Sequence, residues 1–304
     1  MKKTKVIIDT DIGDDIDDAI ALCLAMQSPE LEIIGITTVF KDSVKRAMIA
    51  KKLLRLGGFE HVPVFAGASI PLSNWEMFGR KIEFNEPPLA FQEQYQEEID
   101  LEKTGVDFII KTLKNSREKV SIITLGALTN IADVLRRCPE IKEKINEIRI
   151  MGGAYITNWT EYNFACDPEA ADMVLRSGIC IKAVGIDITF QCRLNEDQLS
   201  ELENNTHPCI RMLMEMCRKW KGEVYLHDPL VVGTAFDESF VTFERKAFCV
   251  EYNAKYCRGV CVHLSDHNWK VDPQKYNIYI GSSVQSQRFL NTCMNRLMQF
   301  GKKS

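Results

Sequence analysis

The alternation of short β-branched runs with amphipathic helical stretches restricts this chain's fold more than any other feature. Residues 5–9 (KVIID) predict a strand, 17–27 a helix and 31–39 (LEIIGITTV) a second strand. Over 43–56, Val44, Ala47, Met48, Leu53 and Leu54 recur between lysines and arginines with helical spacing. Gly57-Gly58 end that helix, and 62–65 read as a third short strand. The pattern returns with a strand at 120–125, a helix near 127–137, a strand at 148–151, a helix at 167–177 and a strand at 179–184. Strand, helix and strand at this spacing require right-handed crossovers. The expected class is α/β: a mainly parallel, Rossmann-like sheet with helices on both faces.

Two regions depart from the pattern. Residues 71–101 hold two adjacent prolines, aromatics and acids without a sustained period, which predicts a long surface excursion of the kind that covers active sites. Residues 196–221 read as a helical segment that projects from the sheet. After Phe240 the chain turns to small additional β-type runs (241–252, 258–264, 276–280) and a last helix near 285–300. No repeat, low-complexity tract or linker interrupts the chain, so a single domain over 1–304 is expected.

Composition removes several classes of function. Hydrophobic residues make up 45% and charged residues 26%, a globular balance that excludes a disordered chain. With 38 Lys+Arg against 42 Asp+Glu, the formal charge of −4 offers no basis for nucleic-acid binding. No apolar stretch approaches the roughly 18–20 residues of a membrane span. The early run Val6-Ile7-Ile8 stops at Asp9, short of a secretory core of about 7–15 residues. The 11 cysteines include no zinc-like CxxC pair and read as reduced thiols in a cytoplasmic protein.

The run Asp9-Thr10-Asp11-Ile12-Gly13-Asp14-Asp15-Ile16-Asp17-Asp18 carries the chemistry. A solvated acidic turn is one reading. Two features oppose it: Asp9 and Asp11 fall at the carboxyl end of a strand, where open α/β sheets bind ligands, and so many carboxylates in one place call for a cation. Oxygen ligands alone indicate a hard ion, Ca²⁺ or Mg²⁺. An EF-hand starting at Asp9 would need Gly and Glu where Asp14 and Ile20 stand, so that motif is excluded.

Two further clusters are polar in a useful way. In Leu226-His227-Asp228-Pro229, the proline suits a first helical turn, which would make Asp228 an N-cap with His227 at the helix mouth. Met151-Gly152-Gly153 after a strand permits close backbone approach to a ligand. The following Asn158, Glu161 and Asn163 offer amides and a carboxylate suited to sugar hydroxyls, and Asp167-Pro168 marks a helix start.

Taken together these segments resemble the inosine-uridine-preferring nucleoside hydrolase family. Asp9-Thr10-Asp11-Ile12-Gly13 with Asp17-Asp18-Ala19-Ile20-Ala21 is similar to its opening DTDxGxDDAxA. Leu125-Gly126-Ala127-Leu128-Thr129-Asn130 corresponds to LGPLTN, Met151-Gly152-Gly153 to MGG, and Glu161-Tyr162-Asn163 after Asn158 to N…EFN. Asp167-Pro168-Glu169-Ala170-Ala171 and His227-Asp228-Pro229 follow in order as DPEAA and HDP, and Arg258-Gly259-Val260 is similar to a late TRG-type strand.

The resemblance implies calcium-dependent hydrolysis of the N-glycosidic bond of ribonucleosides, through an oxocarbenium-like transition state. It implies Asp11 as a calcium ligand and as the base that deprotonates the attacking water. Asp18, the Leu125 carbonyl and Asp228 would complete the protein ligands. Asp17, Asn158, Glu161, Asn163 and the backbone near Met151 would hold the ribose, with His227 as proton donor to the base. His227 favours the inosine-uridine or pyrimidine-preferring branches. Family members are commonly dimers or tetramers, so a homodimer or homotetramer is expected by analogy.

The chain also departs from the family pattern. Three residues separate Gly13 from Asp17 where the common motif has one, which makes Asp15 a further candidate for the metal. Ile12 stands in place of the usual proline, Val39-Phe40 precede Lys41-Asp42 where a GN pair is common, and the loop between Asn158 and Glu161 is shorter by three. Two other readings compete. A haloacid-dehalogenase-type phosphatase would use Asp9 as nucleophile with Mg²⁺, but it leaves Glu161, Asn163 and His227 idle. A metal-bound, non-catalytic riboside-binding relative would keep the same residues.

Overall fold

The computed structural model describes residues 3–73, 76–264, 271, 272, 274 and 276–301. β1 (Thr4–Thr10) leads through the acidic loop into α1 (Asp17–Met26), β2 (Leu31–Thr38), α2 (Ser43–Leu56) and β3 (Val64–Ala66). The excursion that follows carries a two-stranded ribbon, β4 (Glu76–Met77) with β5 (Arg80–Lys81), and a 3₁₀ turn at Glu93–Tyr95. Next come α3 (Gly105–Asn115), β6 (Val120–Thr124), α4 (Thr129–Arg137) and β7 (Ile145–Met151). Short helices α5 (Tyr162–Cys166) and α6 (Pro168–Leu175) precede β8 (Ile181–Val184). The remaining helices are α7 (Ile186–Thr189), α8 (Glu196–Glu203), α9 (Pro208–Trp220), α10 (His227–Phe236) and α11 (Ser286–Leu297). The last strands are β9 (Val241–Arg245), β10 (Phe248–Val250), β11 (Cys261–His263) and β12 (Ile278–Val284).

The main sheet runs β3-β2-β1-β6-β7-β8-β12-β9. Its neighbours are parallel except the antiparallel edge pair β12–β9, which matches the expected α/β, mainly parallel architecture. Side chains alternate across β1: Val6 and Ile8 join the core that includes α1, while Ile7 joins the core on the other face with Ile109 and Ile131. Burial on both faces is why this strand reads as an unbroken apolar run. Strand order reverses between β1 and β6, and the crevice this opens at their carboxyl ends is the place where α/β sheets take ligands.

Several predicted elements are divided or shifted. The single helix expected over 196–221 is two helices, because Pro208 cannot continue α8. His207 before it is extended (φ −64°, ψ 133°), and its ring accepts the Cys209 N–H to start α9. The β-run expected over 241–252 splits into β9, on the main sheet, and β10, which pairs with β11 in a separate ribbon. The third strand begins two residues late, after Pro63, which has no N–H for a ladder. Among the described residues no helix is long and apolar enough to cross a membrane.

Candidate active site

The loop from Asp9 to Asp18 crosses the crevice with most of its carboxyls buried. Asp9 is fully buried, its Oδ1 accepting the Thr37 hydroxyl (2.5 Å) from β2 and the Asn130 amide (2.7 Å) from the first turn of α4. It therefore fastens β1 to its neighbours and does not face the crevice opening. Asp11 is 8% exposed, and α1 presents Asp17 and Asp18 from its first turn at 3% and 2%. The Thr10 hydroxyl donates to Asp18. The Asp228 N–H donates to Asp17 Oδ2 at 3.0 Å, tying α10 to α1 across 211 residues of chain.

That contact corrects the expectation for Asp228. α10 begins at His227 with Leu226 as an N-cap that makes no side-chain cap bond, so Asp228 lies inside the first turn. Its carboxyl is buried among the other acids, close enough to feel the charges of Asp17, Asp18, Asp15 and Asp11. Asp167, by contrast, is the N-cap of α6 as predicted, accepting the Ala170 N–H at 3.1 Å.

Further polar lining comes from the turn between β7 and α5. Glu161 caps α5: one oxygen accepts Asn163 N–H (2.8 Å), the other Gly153 N–H (2.8 Å) and Phe164 N–H (3.0 Å). Gly153 has φ +80°, a conformation that favours glycine. Asn163 donates from Nδ2 to the carbonyls of Leu125 (2.7 Å) and Met151 (3.2 Å), which leaves its Oδ1 available.

Rings form the outer wall. His227 Nδ1 lies 2.6 Å from the Thr189 hydroxyl, so when Thr189 donates, the proton sits on Nε2. Burial lowers the His227 pKa to about 4, leaving a neutral imidazole at neutral pH. Phe190 meets His227 edge-on at 5.1 Å, and Tyr225 stacks on it at 5.5 Å. Trp159 in turn meets Phe190 at 6.2 Å.

The acids resist ionisation in the protein alone. Burial raises Asp11 to about 7 and Asp17 to about 6, and it pushes Asp15, Asp18 and Asp228 well above the carboxylate range, with neighbouring acids adding to the effect. Asp15, Asp17 and Asp18 each offer a carboxylate oxygen within 4.8 Å of the others. An all-oxygen, strongly anionic donor set of this kind fits a hard divalent cation.

One cavity of about 680 Å³ brings together Asp11, Asp15, Asp17, Asp18 and Asp228. Leu125, Met151, Glu161, Asn163 and His227 line it as well. Asn158 stands apart: it is exposed and is not among the lining residues. The resemblance puts Asp17 on the ribose, whereas the structure groups its carboxyl with Asp15 and Asp18. Sequence reasoning passed over the clamp from Asn130 to Asp9, although Asn130 lay inside the matched LGALTN segment. It also passed over Phe78, Phe190 and Tyr225 of the cavity wall and the buried Arg46. No motif marked these four.

The inosine-uridine preferring nucleoside hydrolase family model matches residues 6–291. Uridine nucleosidase 1 of Arabidopsis thaliana is 34% identical over 290 residues, covering 86% of this chain and 81% of that protein. The fold is similar to a solved plant nucleoside hydrolase with a TM-score of 0.83 at 27% identity, covering 97% of this chain and 98% of the other. A purine-preferring ribonucleoside hydrolase from Gardnerella vaginalis gives a TM-score of 0.80 at 28% identity, covering 98% and 99%. The ordered motifs, the crevice they build and these likenesses agree: the chain belongs to the inosine-uridine preferring nucleoside hydrolase family.

Proposed function

We propose that this protein hydrolyses the N-glycosidic bond of ribonucleosides to free base and ribose, with Ca²⁺ as cofactor. The observation that carries this reading is the meeting of two chemically different walls on one cavity, oxygen donors facing aromatic rings. A nucleoside has the same division, a polyhydroxylated sugar joined to a flat base.

Asp11, Asp15, Asp18, Asp228 and the Leu125 carbonyl would hold the ion. When bound it supplies Lewis acidity toward water and toward vicinal hydroxyls. Asp11 orients the attacking water and takes its proton. Asp17, Glu161, Asn163 and the Met151 backbone hold the ribose hydroxyls, and Asn158 joins them if its exposed loop closes over substrate. As the C1′–N bond breaks, its electron pair leaves with the base, and the nearby carboxylates stabilise the positive charge on the ribosyl ring. The water oxygen bonds to C1′, and the neutral His227 offers its Nε2–H as a hydrogen bond that stabilises the negative charge on the departing base. One preorganised hydrogen-bond donor of this sort is worth about 10²–10³-fold. We place the protein in the cytoplasm as a homodimer or homotetramer acting in nucleoside salvage, without nucleic-acid or membrane partners.

The test is to incubate the purified protein with uridine, inosine, cytidine and p-nitrophenyl riboside, and separately with p-nitrophenyl phosphate. Base and ribose should appear, vanish on chelation and return with calcium. No turnover of any riboside would reject the reading, and phosphate release would favour a phosphatase. Sedimentation showing only monomer would reject the proposed assembly.

A further inference from the structure

The two residues that lengthen the acidic loop, Asp14 and Asp15, do different things. Asp15 groups with Asp17 and Asp18, whereas Asp14, which also lines the cavity, is held by Arg46 on α2. The Arg46 side chain is fully buried and Asp14 is one-third exposed. Each nitrogen of the guanidinium has an acceptor. Nε donates to the Phe40 carbonyl (2.9 Å), Nη1 to the carbonyls of Asp11 and Ile12 (the latter at 3.1 Å), and Nη2 to Asp14 Oδ2 (2.7 Å). One planar cation thus gathers the backbone that carries Asp11 and the turn after β2, where Phe40 is held at φ +68°.

Asp14 continues the chain of contacts outward. Its Oδ1 accepts the Leu89 N–H (3.2 Å), and the adjacent Gly13 carbonyl accepts the Ala90 N–H (2.8 Å). Gly13, at φ +118°, packs so tightly that an added Cβ would lie 2.7 Å from Pro88. Lys41 makes a parallel tie to Glu86 at 2.8 Å. The excursion is therefore fastened to the acidic loop by two hydrogen bonds and to the turn after β2 by an ion pair, and its Phe78 lines the cavity.

We propose that Arg46 and Asp14 are a positioning pair: Arg46 holds the backbone of the acidic loop in its ligand-binding shape, and Asp14 latches the excursion onto that loop. The pair couples the metal-binding side of the cavity to its outer wall. The kinetic and calcium-binding parts rest on the proposed function; the proteolytic part does not. Arginine is required by geometry, since four acceptors in different directions match its rigid fork and a lysine offers one nitrogen.

Three variants test this, each checked for a cooperative melt: Asp14→Ala, Asp14→Asn and Arg46→Lys. For Asp14→Ala, cleavage by chymotrypsin within residues 82–101 should rise about tenfold, the factor that loss of one charge-assisted hydrogen bond corresponds to. Calcium binding to the metal-stripped protein, by titration calorimetry, should weaken by about tenfold, and KM should rise more than kcat falls. Asp14→Asn, which keeps an acceptor for Leu89, should be intermediate. Arg46→Lys keeps the charge and should still weaken calcium binding by about tenfold. Cleavage and calcium affinity both within about twofold of wild type in Asp14→Ala would overturn the latch. Wild-type calcium affinity in Arg46→Lys would overturn the geometric role of Arg46. Should Arg46→Lys fail to fold, Asp14→Ala still decides. A wild-type protein that turns over no nucleoside defeats the proposed function but leaves the cleavage comparison intact.

Discussion

The two walls of the cavity are held in different ways. On the acidic wall, Asp11 is set by a backbone carbonyl tied to Arg46, Asp17 by the Asp228 N–H, Asp18 by Thr10, and Glu161 by three N–H groups. On the aromatic wall only His227 is anchored inward by a hydrogen bond, to Thr189; Phe190 and Tyr225 meet it and each other through ring contacts of 5.1–5.5 Å, and Tyr225 points its hydroxyl to the exposed Glu223. Directional bonds fix atoms to within tenths of an ångström, whereas ring contacts allow sliding and tilting. On the proposed function this contrast predicts a division of labour: the acidic wall would set whether the reaction occurs, and Phe190 and Tyr225 would set which base is accepted.

Four substitutions can break or sharpen that contrast. The largest loss belongs to Asp11→Ala, which should reduce kcat/KM by about 10³-fold or more and weaken calcium binding in calorimetry. Near-normal turnover in that variant would remove Asp11 from its role. Next is Gly126→Ala, where the added Cβ would sit 2.6 Å from Asp11 Oδ1. Pushing that carboxylate aside should cost about 10²-fold in kcat while the protein still melts cooperatively. On the other wall, His227→Ala should lose about 10²-fold on uridine but less than about tenfold on p-nitrophenyl riboside, whose leaving group needs no proton. Equal losses on both substrates would refute the donor assignment. The smallest change is expected for Phe190→Ala: a rise in KM of at most about tenfold, different for uridine and inosine, with kcat nearly unchanged. A 10²-fold fall in kcat there would erase the distinction between the walls.

The same contrast governs how much was legible in advance. The acidic wall could be read because its residues lie next to strand ends and helix starts, where local period and turn chemistry place them. Asp9 shows the limit. It belongs to the same acidic run as Asp11, yet Thr37 on β2 and Asn130 in the first turn of α4 draw it inward as a fastener. Asp228 shows it again, since a proline after an acid suggests an N-cap while the observed α10 begins one residue earlier. Arg46 was invisible because it follows Lys45 on a helix whose basic residues look solvent-facing. Only the fold determines that one of them is completely buried.

By itself, the sequence determined the parallel α/β layering, the strand–loop–helix that carries the acids, and the family, because periodicity and motif spacing are properties of short stretches. Only the tertiary structure decided that Asp14 faces Arg46 while Asp15 faces the other acids, that Asn158 lies outside the cavity, and which rings stand opposite the carboxylates. Those outcomes depend on segments up to 211 residues apart being packed into contact, where burial and charge act across space and leave no mark on the local pattern.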